Sequence, residues 1–107
     1  MRIRKENEKL QEEDILLIAK ASDALAHPLR VELFHYIYTE NLQRHPVCNK
    51  DLVTVSGYSQ ATVSQHMKKL IISGLVEVQN QASHSYYLVN LGMLGKYLNS
   101  VKKLNEE

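Results

Sequence analysis

One cysteine, two prolines and four glycines in 107 residues leave little material for a cross-linked or loop-rich architecture. The single thiol, Cys48, cannot form an internal disulfide, so a stapled secreted mini-domain is excluded and the cytoplasm is the expected compartment. No repeat, low-complexity tract or Ser/Pro/Gly linker divides the chain, and its length suits one domain over residues 1–107. Long apolar runs are also missing. Ile15-Leu16-Leu17-Ile18-Ala19 falls far short of the ~20 residues that span a bilayer, so no membrane partner is expected. Met1-Arg2-Ile3-Arg4-Lys5-Glu6 runs into further charges without the apolar stretch of a secretory leader. A chain this short buries only about 60–70% of its unfolded surface, which disfavours a deep substrate cavity and makes a second subunit an expected source of stability.

Acids are scarce in one place. The formal net charge is only +1, but residues 41–80 carry Arg44, Lys50, Lys68 and Lys69 against Asp51 and Glu77, and no acid lies between Val53 and Val76. Catalytic equipment is scarce as well. Cys48 with His45, or Ser64 with His66, has no glycine-rich phosphate loop, paired inward carboxylates or oxyanion-type turn beside it, so an enzyme is not expected.

What is present reads as helix, helix, short helix, turn, helix, hairpin, helix: mainly α with a small β-hairpin. Lys9 to Ala26 is rich in helix formers and apolar on several faces, which calls for burial both by its own domain and by a second subunit. Pro28 suits the first turn of a second helix, with Leu29, Leu33, Phe34 and Ile37 inside. Asn41 to Pro46 reads as a loop. Asn49 is the expected cap of a short helix with Leu52, Val53 and Val55 inward, and Ser56-Gly57-Tyr58 is a tight turn. Ser59 caps the next helix, from Gln60 to about Ser73, which Gly74 ends. Leu75–Gln79 and Ser85–Val89 have strand composition around a polar turn at Asn80–His84. Leu94, Tyr97, Val101 and Leu104 form one seam on a terminal helix over about 92–106.

Two helices joined by a short glycine-containing turn and followed by a hairpin make a winged helix-turn-helix. Val63, Met67, Leu70 and Ile71 form the inner set of its second helix. The other face presents Gln60, Ala61, Thr62, Ser64, Gln65 and Lys68: small or amide-bearing, and free of acid. Gln pairs bidentately with an adenine edge, Ser and Thr bond several edges, and the methyls of Ala61 and Thr62 suit thymine methyls. Lys68 and Lys69 stand where they can reach phosphates. Double-stranded DNA is therefore the expected partner. A winged-helix protein-interaction module without specific DNA binding is the alternative reading, favoured by the uncharged wing and the near-neutral total.

Ala24 to Phe34, Ser59 to Leu70, Ser73-Gly74-Leu75-Val76 and Ser85 to Leu88 together resemble the ArsR/SmtB family of bacterial transcriptional regulators over about residues 18 to 91. The resemblance implies a homodimer built on the first (about 8–26) and last (about 92–106) helices, with Ile15, Ile18, Leu94, Tyr97, Val101 and Leu104 at its interface. It also implies a two-fold symmetric operator, usually repressed. By position it assigns DNA reading to Gln60, Ala61, Thr62, Ser64, Gln65 and Lys68, the helix cap, where a phosphate is also favoured, to Ser59, and the wing to Asn80, Gln81, Ser83 and His84. Lys69 joins the expected DNA contacts from its own place beside Lys68. His66 matches a common family histidine, expected here to be oriented by a hydrogen bond rather than to read bases.

Two features depart from the family. Cys48 falls on the first position of a paired-cysteine metal site, but Lys50 stands at the second, and residues 91–107 contain no His, Asp or Cys for a site on the last helix. No metal or other cofactor is expected, the effector is left open, and Cys48 is expected to be a small buried hydrophobe. The wing carries neither Arg nor Lys, so phosphate neutralisation falls to Lys68, Lys69, Lys50 and Arg44, with Arg2, Arg4 and Lys5 at the start of the chain.

Overall fold

A computed structural model describes residues 9–106. Five helices and one hairpin follow in order: α1 (Glu12–Ala24), α2 (Pro28–Leu42), α3 (Asn49–Ser56), α4 (Gln60–Ile72), β1 (Val76–Gln81), β2 (His84–Val89) and α5 (Leu91–Lys102), with a 3-10 turn at Lys103–Asn105. The expected element order holds throughout. The core is a continuous cluster of Ala21, Ala24, Leu29, Leu33, Phe34, Ile37, Val47, Leu52, Val63, Met67, Leu70, Leu75, Val76 and Val89, drawn from every element except α5. Met93, Leu94 and Tyr97 of α5 pack against its edge.

Several boundaries differ from expectation, each for a local reason. The first helix begins at Glu12 rather than Lys9, because the Asp14 carboxylate turns back to accept the Gln11 backbone N–H at 2.8 Å. The second helix runs to Leu42, so Asn41 and Leu42 are helical and the loop starts at Gln43, with Arg44 taking the left-handed turn (φ 62°). Asn41 then supplies what a third strand would. Its Oδ1 accepts the Val89 N–H at 2.9 Å and its amide donates to the Tyr87 carbonyl at 3.5 Å. Cys48, not Asn49, is the cap of α3, since Asp51 three residues on accepts the Cys48 backbone N–H at 2.9 Å. The Cys48 thiol also donates to Asp51 at 3.3 Å, so it is a half-buried capping group and not the expected buried hydrophobe. Val55 is exposed rather than inward, because only Leu52 and Val53 of that short helix face the core.

The strands pair antiparallel from Val76 opposite Val89 to Gln81 opposite His84. Asn80, Gln81 and His84 are thus in the strands, and the turn shrinks to Ala82-Ser83, with Ala82 in the left-handed region (φ 54°). A short backbone bridge joins Val47 to Tyr87 on the outer edge of β2, the Tyr87 N–H donating to the Val47 carbonyl at 2.7 Å. The last helix begins one residue early, at Leu91, because the Asn90 side chain accepts the Met93 N–H at 3.0 Å.

Candidate nucleic-acid interface

Local chemistry sets the α3–turn–α4 unit. Gly57 ends α3 in the left-handed conformation (φ 76°), which a side chain would resist. Ser56 Oγ accepts the Tyr58 N–H at 3.2 Å and holds the turn shut. Ser59 then caps α4 as its sequence predicts, its Oγ accepting the Thr62 N–H at 3.2 Å and donating to Thr62 Oγ1 at 3.0 Å. At the far end Ser73 is the terminal residue and Gly74 (φ 87°) makes the exit. A side chain at Gly74 would also press on the Met93 methyl, its Cβ coming within 3.3 Å. Val63, Met67 and Leu70 are fully buried, with Ile71 half-buried beside them, so α4 is held by one face only.

The opposite face stands in solvent. Gln60, Ala61, Ser64, Gln65, Lys68 and Lys69 are exposed, and Thr62 is half-buried beside the cap. No acid interrupts this face. Ser64 is not wholly free: the Asn49 amide donates to its hydroxyl at 3.2 Å and to Tyr87 Oη at 3.3 Å. Asn49 therefore ties the exposed face of α4, α3 and the hairpin together. Lys50 borders a groove of about 280 Å³ with Gln60, beside the start of α4. Tyr58 is half exposed in the turn between α3 and α4. Arg44 sits in the turn after α2. Arg2, Arg4 and Lys5 lie outside the described residues.

One arginine fastens α4 to the rest. Arg30 Nε donates to the Ala24 carbonyl at 2.7 Å and Nη2 to the Asp23 carbonyl at 3.5 Å, satisfying the open C-terminus of α1. Its Nη1 meets His66 Nδ1 at 3.0 Å, so His66 is oriented by a hydrogen bond. The His66 ring lies 4.5 Å from that of His27, whose Nδ1 accepts the Leu29 N–H at 3.1 Å and caps α2. Burial first, then His27 and Arg30, hold the His66 pKa below the ordinary histidine value. A neutral His66 can accept from Arg30; a protonated one cannot.

The hairpin presents Asn80, Gln81, Ser83 and His84 to solvent. Ser85 donates to Asn80 Oδ1 at 2.7 Å, so that side chain is partly engaged within the wing. Of the two neighbouring tyrosines, Tyr87 packs against the core and Tyr86 lies near His84, their rings 6.1 Å apart.

Helices α1 and α5 pack against each other around a buried acid. Asp14 accepts from Ser100 Oγ at 2.6 Å and from Lys103 Nζ at 3.0 Å, and the Ser100 bond, the Gln11 N–H and Lys103 lower its pKa to about 2. The Tyr97 hydroxyl meets Ser22 Oγ at 2.9 Å. Leu94 and Tyr97 are thereby turned toward their own chain, Ile18 and Val101 are half-buried, and Ile15 and Leu104 are exposed. Leu16, Leu91 and Leu98 are more than half exposed on the same pair of helices, three positions that the seam pattern passes over. Among the described residues no group of three or more His, Cys, Asp or Glu is placed to hold a metal ion, and no helix is long and apolar enough to cross a membrane.

Residues 39–78 match the family described as "Bacterial regulatory protein, arsR family". No curated protein matches the chain by sequence. Solved structures with the same fold include an ArsR-like transcriptional regulator from Rhodococcus sp. RHA1, at 19% identity and TM-score 0.73, covering 88% of this chain and 82% of that one. The homodimeric winged helix-turn-helix DNA-binding domain Mb0332 from Mycobacterium bovis is similar at 18% identity and TM-score 0.65, covering 97% and 88%. The transcriptional repressor BigR from Xylella fastidiosa is similar at 21% identity and TM-score 0.63, covering 90% and 93%.

Proposed function

We propose that this chain, which carries the helix-turn-helix of bacterial regulatory proteins of the arsR family, is a sequence-specific DNA-binding transcriptional regulator acting as a homodimer in the cytoplasm. The fold, and the family that residues 39–78 match, support a transcriptional regulator over an enzyme. The whole chain serves as one winged-helix domain. The exposed face of α4 enters the major groove, where Gln60, Ser64 and Gln65 bond base edges and Ala61 and Thr62 meet thymine methyls. Ser59, Lys68 and Lys69 contact flanking phosphates, and the wing tip at Asn80, Gln81, Ser83 and His84 lies along the backbone. Repression follows from occupancy of an operator. Pairing of α1, α5 and the 3-10 turn after it with a second copy, through Ile15, Leu16, Leu98 and Leu104, delivers two reading helices to a site with two-fold symmetry.

The observation that carries this reading is the outer face of α4. It is exposed, amide- and hydroxyl-bearing and acid-free, on a helix whose other face is locked by Val63, Met67 and Leu70. Such a face has little to offer an apolar protein partner. Selection from a pool of random duplexes tests it: a two-fold symmetric sequence should be enriched. The double variant Ser64→Ala with Gln65→Ala should then lose about 1–3 kcal/mol per base contact removed and relax preference at those positions. Absence of any enriched sequence at low salt would overturn the reading in favour of a protein-interaction module.

A further inference from the structure

At one edge of its exposed face, α4 carries the row Gln65, Lys68, Lys69 and Ile72, at the i, i+3, i+4, i+7 spacing of one helical side. This row faces α1. Lys20, Asp23 and Ala24 of α1 meet Gln65, Lys68, Lys69, Ile72 and Ser73 around a groove of about 260 Å³. Lys20, Lys68 and Lys69 are all exposed, and none has an ion-pair partner among the described residues. The one acid in the groove, Asp23, leaves it with an excess of two positive charges. Three lysines without ion-pair partners, lining one groove from two elements together with an amide side chain, make an anion-attracting cleft.

The geometry points to this cleft between α1 and α4 as a seat for a phosphate of the DNA backbone, with Lys20 as a contact residue outside the helix-turn-helix. The inference rests on the DNA-binding reading above. It is favoured over a free phosphorylated molecule because Gln65 belongs both to the cleft and to the reading face. The two surfaces are continuous, so a duplex engaged at Gln65 passes the mouth of the cleft. A footprint reaching α1 would also supply cations that the wing lacks, since no Lys or Arg occurs between Lys69 and Lys96.

The test compares the full chain with Lys20→Gln and Asp23→Asn, two exposed substitutions that leave the core intact. Binding to a selected duplex and to a random duplex is measured over a range of salt. Each phosphate contact contributes about 0.9 to the slope of log affinity against log salt, so a dimer that loses two Lys20 contacts should show a slope shallower by about 2. Lys20→Gln should weaken both duplexes alike, Asp23→Asn should strengthen both, and the preferred sequence should not change. A wild-type slope retained in Lys20→Gln, with specific binding intact, would overturn this inference alone. Failure of the wild-type protein to bind either duplex would overturn the DNA-binding reading and the inference with it. Inhibition by inorganic phosphate at constant ionic strength, lost in Lys20→Gln, would reassign the cleft to a free anion and overturn the DNA contact.

Discussion

Helix α4 and the α1/α5 pair are both held to the core by one side, yet they leave opposite surfaces in water. The free side of α4 shows amides, hydroxyls and two lysines. The α1/α5 pair exposes Ile15, Leu16, Leu91 and Leu98, with Leu104 exposed in the 3-10 turn that follows. A polar, acid-free surface suits a hydrated polyanion, whereas a cluster of exposed leucines on a small domain suits a second copy of itself. The polar groups are placed oppositely as well. Along the outer face of α4 they are exposed, while between α1 and α5 a carboxylate is buried and satisfied by Ser100 and Lys103. On the proposed reading, the difference teaches that one end of the molecule would be exchanged between water and nucleic acid and the other covered by a second copy.

The largest effect should come from breaking the covered end. Leu16→Glu combined with Leu98→Glu places two charges on side chains that are exposed in one chain, so the chain should still fold. Sedimentation equilibrium should show a monomer in place of a dimer. Because the two half-sites act through effective concentration, operator affinity should fall by about 10²–10⁴-fold. A variant that stays dimeric would remove the assigned role from this face.

A smaller effect is expected at the joint between the two ends. Arg30→Ala removes the donor to the Ala24 and Asp23 carbonyls and the partner of His66 Nδ1, so the C-terminus of α1 and the middle of α4 lose their shared tie. Loss of a charged group's hydrogen bonds to partly buried acceptors costs about 1–3 kcal/mol, readable by urea denaturation. An unchanged midpoint would mean that the two ends are stabilised independently.

The joint and the ends were not equally legible in the sequence. Ser59, Gly57 and Gly74 are readable because a cap or a left-handed turn is settled within three or four residues. The same reasoning, applied to Asp51, would have identified Cys48 as the cap of α3 in place of Asn49, since an acid three residues after a helix start is a local signal. Asn41 carried no such signal. It looks like a loop residue beside Pro46, and only the arrival of β2, more than forty residues later, gives its amide a purpose. Arg30 with His66 and Asp14 with Ser100 are of the same kind, partners brought together by packing. The seam on α5 was legible as a stripe, but its sharing between chain and solvent was not. Periodicity identifies an apolar side without saying that Tyr97 will spend itself on Ser22 while Leu98 is left out.

Acid should separate the two ends by the pH at which each fails. The His66 pKa is lowered in the folded chain, so the unfolded chain binds the proton first as pH drops below 6.5. Stability is full above that value and declines as pH falls through the lower folded one, as His66 ceases to accept from Arg30. Asp14 is lowered from 3.8 to about 2, so its contribution is full above 3.8 and lost as pH falls through about 2. Denaturation midpoints against pH should thus show an upper limb from the α4 joint and a lower one to which the α1/α5 contact contributes. His66→Asn should flatten the upper limb and leave the lower one. Retention of the upper limb in that variant would assign it to another histidine.

The hairpin supplies the smallest effect and the sharpest control, because its turn belongs to neither end. Ala82 holds φ at 54°, where an L side chain costs roughly 1–2 kcal/mol relative to the right-handed region. Ala82→Gly removes that strain but gives the unfolded chain more freedom, which takes back about 0.4–1 kcal/mol. The net change should be a stabilisation of about 1 kcal/mol or less, seen as a small rise in denaturation midpoint. Neither the oligomeric state nor the pH limb of His66 should move, since the turn touches neither the leucine face nor the arginine joint. If Ala82→Gly instead weakened the operator complex, the turn would be rigid for a reason, and the wing would rank with α4 as part of the surface that meets DNA.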